Sequence, residues 1–135
     1  QSIIYCNTIK RVDDLHYAMK NDNFPVEKIH GKMATNERNK ITEEFRKGSC
    51  RVLITFDLFA RGIDIQQVNI VINFDVPKNV STYLHRIGRS GRWGRKGIAI
   101  NFVTKYDTEK IKYFEQYYST QISEMPADFT NHIKM

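Results

Sequence analysis

The sequence predicts an α/β fold, a mostly parallel sheet with helices on both faces, and three observations carry that reading. Short apolar, β-prone runs alternate along the chain with stretches whose apolar residues recur at helical spacing. Strands of about five residues alternating with helices of about ten to fourteen require crossover connections, which cover both faces of parallel strands. Of the 135 residues 41% are hydrophobic and 27% charged, with only 7 Gly and 3 Pro, a globular balance that excludes collagen, low complexity and disorder.

Taken in order, Ser2–Cys6 reads as the first strand, ended by Asn7-Thr8, a pair suited to cap a helix. Val12, Leu15, Tyr17 and Met19 mark that helix until Asn21-Asp22-Asn23 breaks the pattern. Val26–His30 is a strand followed by Gly31. Thr35 and Arg38 open a helix carrying Ile41 and Phe45, and Gly48 is a good residue to end it. Arg51–Thr55 and Ile70–Phe74 are strands, the second closed by Asp75-Val76-Pro77. A helix starting near Asn79 or Ser81 carries Tyr83, Leu84 and Ile87, and Ile98–Val103 is a further strand. Asp107–Tyr118 is the last helix, with Ile111, Phe114, Tyr117 and Tyr118 on or near one face and Tyr113 in the same aromatic stripe, read as core packing. The tail from Ile122 is less patterned, and no internal repeat or linker divides the chain. In such sheets ligands bind at the carboxyl ends of the strands, so the segments after the strands are expected to gather at one edge.

The aliphatic runs, such as Val52-Leu53-Ile54 and Ile70-Val71-Ile72, are far too short to span a bilayer, and no membrane role is expected. Mean hydropathy is -0.51. The chain opens directly into Ser2-Ile3-Ile4-Tyr5, without the basic region of a secretory signal. Cys6 and Cys50 have no His or Cys at ligand spacing, so they read as buried free thiols of a reducing compartment, and no metal site is expected.

The charge is concentrated. The net charge is +6, from 21 basic and 15 acidic side chains. His85–Gly97 holds Arg86, Arg89, Arg92, Arg95 and Lys96 and no acid, so the remainder carries 16 basic against 15 acidic groups. Cation density aimed this way suits a phosphate-bearing partner. Within the cluster the glycines Gly88, Gly91 and Gly94 alternate with the arginines. Each Gly weakens a helix by about 1 kcal/mol relative to Ala, so a backbone-exposed loop is expected here. Arg supplies a planar, permanently charged fork for phosphate oxygens. A disordered basic tract is the rival reading, disfavoured because the segment lies between a helix and an apolar strand.

His85-Arg86-Ile87-Gly88-Arg89-Ser90-Gly91-Arg92 resembles motif VI of the DEAD-box RNA helicases of superfamily 2. Other stretches agree in order and spacing. Ile4–Thr8 resembles motif IV; His30-Gly31 with Asn36-Glu37-Arg38 resembles motif IVa, with Phe45–Gly48 downstream. Asp57–Asp64 resembles motif V, and Asn73–Pro77 the element between V and VI. The resemblance covers essentially the whole chain. Ile63–Val68 and Ala99–Val103 are similar to the branch containing eukaryotic initiation factor 4A and its exon-junction paralogue. Ser90 with Glu115–Ile122 leans towards the paralogue, and the motif V stretch towards the translation factor.

The resemblance implies a RecA-like fold, with residues 1–135 forming the helicase C-terminal, second RecA-like domain. No Gly-x-x-x-x-Gly-Lys-[Ser/Thr] loop and no Asp-Glu-Ala-Asp tetrad occurs in these residues. The family carries those elements, and the magnesium ligands, on a first RecA-like domain absent from this chain, so the fragment alone is expected to be inactive. The implied function is one lobe of an ATP-dependent RNA helicase, coupling hydrolysis of Mg2+-bound ATP at the interlobe cleft to local unwinding of an RNA duplex, as in translation initiation. Arg89 and Arg92 are the implied arginine fingers, while Asp64 and Gly62 join them around the nucleotide, with Asp64 at the ribose. Asn7, Thr8, Gly31, Arg38 and Gly62 are the implied contacts to single-stranded RNA, made to sugar and phosphate and therefore without sequence preference. His85 and Arg61 are the implied couplers to the first lobe. A monomer is implied, cytoplasmic, or nuclear if of the exon-junction type, with a scaffold protein of the translation or exon-junction machinery as a possible partner. The alternative is a stand-alone RNA-binding or scaffold-docking module without catalysis.

Two positions depart from the family. Thr35 stands where Gln is usual, with shorter reach to a phosphate, and Phe56 stands where a Thr contacts RNA. Structural roles compete elsewhere: Asn7-Thr8 as a helix cap, Asp57 as a cap, Asp64 as the partner of Arg61, and Trp93 as an anchor of the basic loop. His16 and His132 read as surface residues.

Overall fold

The computed structural model describes residues 1–56, 68–79, 82 and 98–118. In chain order they form β1 (Ser2–Cys6), α1 (Ile9–Asn21), β2 (Glu27–Ile29), α2 (Thr35–Lys47), β3 (Val52–Phe56), β4 (Ile70–Asn73), β5 (Ile98–Asn101), a 3-10 turn (Lys105–Asp107) and α3 (Thr108–Tyr118). Every strand pairing among them is parallel, in the order β2-β3-β1-β4-β5. β1 is central, with Ile3 opposite Leu53 on one side and Val71 on the other.

Alternation along β1 builds two cores. Ile3 and Tyr5 pack with Ile41 and Phe45 of α2 and with Leu53 and Val71. Ile4 and Cys6 pack with Val12 of α1, Val26 and Ile54 on the opposite face, where Phe56 also lies. A sheet buried on both faces explains why the strands are apolar at nearly every position. The expected parallel α/β architecture with helices on both faces is therefore observed. Both cysteines are free and buried, and burial pushes the Cys50 thiol upward in pKa.

Helix ends follow local chemistry. Thr8 caps α1, its Oγ1 accepting the Arg11 N–H at 3.1 Å. Gly48 ends α2 in the left-handed region, φ 86°, where a Cβ is disfavoured. Thr35 is the first residue of α2, and its hydroxyl serves Arg38 instead of the helix backbone. Thr104 and Asp107 form a reciprocal capping box before α3. Thr82 is helical and donates its N–H to Asn79 Oδ1 at 2.8 Å, the geometry of a helix start at Asn79. The rest of that expected helix lies outside the described residues, as do the side chains of Tyr117 and Tyr118, the tail from Ile122 and His132.

Three expectations for individual side chains are corrected. Tyr17 is 70% exposed, because at 3.6 residues per turn it lies about 140° round α1 from buried Val12. Tyr113 is 56% exposed, its ring meeting buried Phe114 edge-on at 6.4 Å from the solvent side, and so leaves the core stripe. His16 is half-buried instead of at the surface, and burial, followed by the charge of Lys28, lowers its imidazole pKa.

Candidate functional site

Because the strands run in parallel, the segments after Cys6, Ile29, Asn73 and Asn101 leave the sheet at the same edge. The chain fills one side of β1 with β2 and β3 and then crosses to β4 and β5 on the other, so the strand order reverses beside β1. Such a reversal opens a crevice at the carboxyl end of the sheet. The Gly31 turn lies after β2 at one side of this edge, Asn7-Thr8 after central β1, and Phe102–Thr104 after β5 at the other. Strands are about 4.8 Å apart, so the Gly31 and Asn7 positions are separated by roughly 10 Å.

The turn after β4 is locked to the end of β1. Phe74 N and Asp75 N both donate to Tyr5 O, at 3.0 and 3.4 Å. Asp75 Oδ2 accepts the Asn7 N–H at 2.9 Å and Arg11 Nε at 3.3 Å, while Oδ1 accepts Arg11 Nη2 at 2.6 Å. Asn7 Nδ2 donates to Val76 O at 2.9 Å. The bond to Asp75 raises the Arg11 pKa further, so this guanidinium is permanently charged. It lies 5.0 Å from the centroid of Phe74, whose ring is tilted against Phe102 at 5.8 Å. Asn7, Arg11, Phe74, Asp75, Val76 and Phe102, with Val103, Thr104, Asp107 and Lys110, line a cleft of about 460 Å³. One residue further into the sheet, Asn73 Nδ2 donates to Asn101 Oδ1 at 2.7 Å across the β4–β5 pair.

A second polar group sits beneath the Gly31 turn. Asp13 of α1 accepts Lys28 Nζ at 2.7 Å and lies 2.9 Å from His30 Nε2. Lys28 first, and His30 less strongly, hold the Asp13 carboxyl below its ordinary pKa. The opposite ring nitrogen of His30 accepts the Lys32 N–H at 3.1 Å. Further along, half-buried Arg38 donates from Nη2 to Thr35 Oγ1 at 3.1 Å, so the shorter side chain at position 35 steadies the arginine.

Of the residues singled out in the sequence, Asn7, Thr8, Gly31 and Arg38 fall on this edge or on the first turn of the helix that leaves it. The Asn7 backbone N–H and side-chain amide are engaged with Asp75 and Val76, and Thr8 caps α1. Asp57, Arg61, Gly62, Asp64, His85, Arg89, Arg92 and Trp93 lie outside the described residues. Sequence reasoning missed Arg11, Asp13 and Asp75. Arg11 and Asp75 are 64 positions apart, and no local pattern links them. Among the described residues no group of three or more His, Cys, Asp and Glu side chains is placed to hold a metal ion, and no helix is long and apolar enough to cross a membrane.

Comparison with known proteins bears on this edge. Residues 1–94 match the helicase conserved C-terminal domain. The chain is 56% identical over 131 residues to the ATP-dependent RNA helicase FAL1 of Yarrowia lipolytica, covering 97% of this chain and 33% of that protein. It is 55% identical over 133 residues to eukaryotic initiation factor 4A of Caenorhabditis elegans, covering 98% of this chain and 33% of that one. It therefore spans about a third of the length of the curated relatives it matches. Among solved structures, the C-terminal domain of the DEAD-box protein Dbp5 superposes with a TM-score of 0.83 at 37% identity, over 98% of this chain and 78% of that one. With a parallel RecA-like sheet and this degree of identity, the chain belongs to the helicase conserved C-terminal domain family, among the DEAD-box helicases of the initiation factor 4A branch.

Proposed function

We propose that this chain is the second RecA-like lobe of an ATP-dependent RNA helicase and that its carboxyl edge holds single-stranded RNA by sugar and phosphate. The observation that supports this most is the gathering of Asn7-Thr8, the Gly31 turn and the start of α2 with Arg38 at one edge of a parallel sheet. In this reading Asn7, Thr8, Gly31, Arg38 and Gly62 face the RNA backbone. Arg89 and Arg92 bind the γ-phosphate of ATP as arginine fingers, Asp64 and Gly62 meet the ribose side, and His85 and Arg61 couple the lobe to its partner domain. The donor set fits a nucleotide: arginine forks for phosphate oxygens and a carboxylate for a ribose hydroxyl. ATP supplies the phosphoryl transfer, and magnesium is held by the first RecA-like domain.

Both ligands bind across the closed cleft between the lobes, so each strengthens the other's binding by linkage. The test is displacement of a short RNA duplex by the full-length protein with ATP, against the same protein without nucleotide. ATP-dependent displacement with RNA-stimulated hydrolysis is expected; RNA binding that ignores nucleotide would instead favour a stand-alone module. A secondary reading, docking of a scaffold protein, is supported by the exposed Phe102, Val103, Tyr106 and Tyr113 around β5 and α3. Association that survives nuclease treatment tests it.

A further inference from the structure

We infer that His30 is a positioning residue for RNA, holding the Gly31–Lys32 turn in the shape that meets the nucleic-acid backbone. This inference rests on the RNA reading above and assigns His30, Asp13 and Lys28 a part in it. His30 is only 4% exposed, yet it ends β2 directly before an exposed turn. Its Nδ1 accepts the Lys32 N–H, so that nitrogen carries no proton, and the proton of the neutral ring lies on Nε2. Nε2–H faces Asp13 Oδ1 at 2.9 Å, and Lys28 Nζ fixes the same oxygen at 2.7 Å. The Met33 N–H also donates to His30 O at 3.2 Å.

One buried ring thus ties α1, the end of β2 and the backbone of the turn. The turn is closed twice, once through the His30 carbonyl and once through its imidazole. Gly31 and Lys32, between these closures, are exposed. A turn that receives a phosphate gains from being fixed in advance, because a binding group must be held to within roughly 0.5 Å of its productive position. A histidine that merely fills the core has no need of the bond to Lys32.

Two substitutions in the full-length protein separate the halves of the ring. His30→Asn keeps an acceptor at the δ position for Lys32 and gives up the reach to Asp13. His30→Gln keeps an amide at the ε position for Asp13 and gives up the δ acceptor. With folding confirmed by circular dichroism, His30→Asn is expected to bind a single-stranded RNA oligonucleotide within about threefold of wild type, and His30→Gln about tenfold more weakly, the equivalent of one hydrogen bond. Amide exchange at Lys32 is expected to be slow in wild type and in His30→Asn and fast in His30→Gln. Equal affinities for the two variants, whether high or low, would overturn the inference while leaving the RNA reading intact. Failure of the wild-type protein to bind RNA would overturn both. Should neither variant fold, Lys32→Pro, at an exposed position, removes the N–H that the ring accepts and leaves the Asp13 bond in place. RNA binding about tenfold weaker than that of Lys32→Ala, the control for the lost charge, is then expected, and equal binding by the two would reject the role of His30.

Discussion

Arg11 holds Asp75 with two arms of its guanidinium, Nη2 at 2.6 Å from Oδ1 and Nε at 3.3 Å from Oδ2. Asp75 also accepts the Asn7 N–H, so one carboxylate fixes the first turn of α1, the end of β1 and the turn after β4. Asp75 is mostly buried, whereas Arg11 is half exposed. Asp75→Asn cannot satisfy all three donors and is expected to cost about 1.5–3 kcal/mol, the range for hydrogen bonds to charged groups. Arg11→Lys leaves the Asn7 bond in place and acts on a solvated pair, so about 1 kcal/mol or less is expected. Urea unfolding midpoints measure both. Equal losses would mean that Asp75 has no role beyond its pairing with Arg11.

Thr8 has two candidate roles, and substitutions separate them. Its hydroxyl caps α1, so Thr8→Ala is expected to lose about 1 kcal/mol and Thr8→Ser close to nothing. Thr8→Asp preserves a good cap but adds a negative charge to the edge proposed to hold phosphate. Stability near wild type with RNA affinity reduced roughly tenfold at low salt is expected, a loss that fades as salt rises. Unchanged affinity at low salt would remove Thr8 from the RNA surface and leave only the cap.

His16 gives the fold an acid-sensitive component. Burial holds its folded-state pKa below the ordinary value of 6.5, so the unfolded chain binds the proton more readily. Stability therefore rises with pH between the folded and unfolded pKa values, is fully present above about 6.5, and is lost on acidification. Asp13, whose pKa is also lowered, adds stability that is fully present above the ordinary carboxylate value of 3.8 and is lost only as pH falls below it, so it leaves the range above about pH 5 unchanged. His16→Gln is expected to flatten the fall in unfolding midpoint from pH 7 to pH 5.5. A parallel shift of the whole profile would assign that fall to other groups.

Much of the scaffold was legible in the sequence because burial on both faces makes these strands apolar runs, and because Thr8 and Gly48 punctuate helices by local backbone chemistry. The apolar runs mark the strand ends to within a residue or two. The sequence pattern extends β2 over Val26–His30, but the ladder covers Glu27–Ile29, while buried His30 bonds to Asp13 and to the Lys32 N–H. Tyr17 and Tyr113 differ from the sequence expectation because an aromatic residue near an apolar stripe reads as core, whereas helix phase leaves both exposed. The site was less legible than the frame. Gly31, Arg38 and Asn7-Thr8 stood out through family resemblance. The Arg11–Asp75–Asn7 lock and the Asp13–His30 bond join residues far apart in sequence, and single charged residues on a helix look the same whether they face solvent or a distant carboxylate.

The central claim, that this lobe supplies arginine fingers to a nucleotide, is tested most directly by RNA-stimulated ATP hydrolysis of the full-length protein carrying Arg92→Lys beside Arg95→Lys. Lysine keeps the charge but lacks the planar fork. With folding confirmed by circular dichroism, Arg92→Lys is expected to cut turnover severely, towards the roughly 10³–10⁵-fold ceiling for arginine fingers, and Arg95→Lys only mildly. Equal, small losses at positions 92 and 95 would contradict it and reduce the cluster to a basic patch.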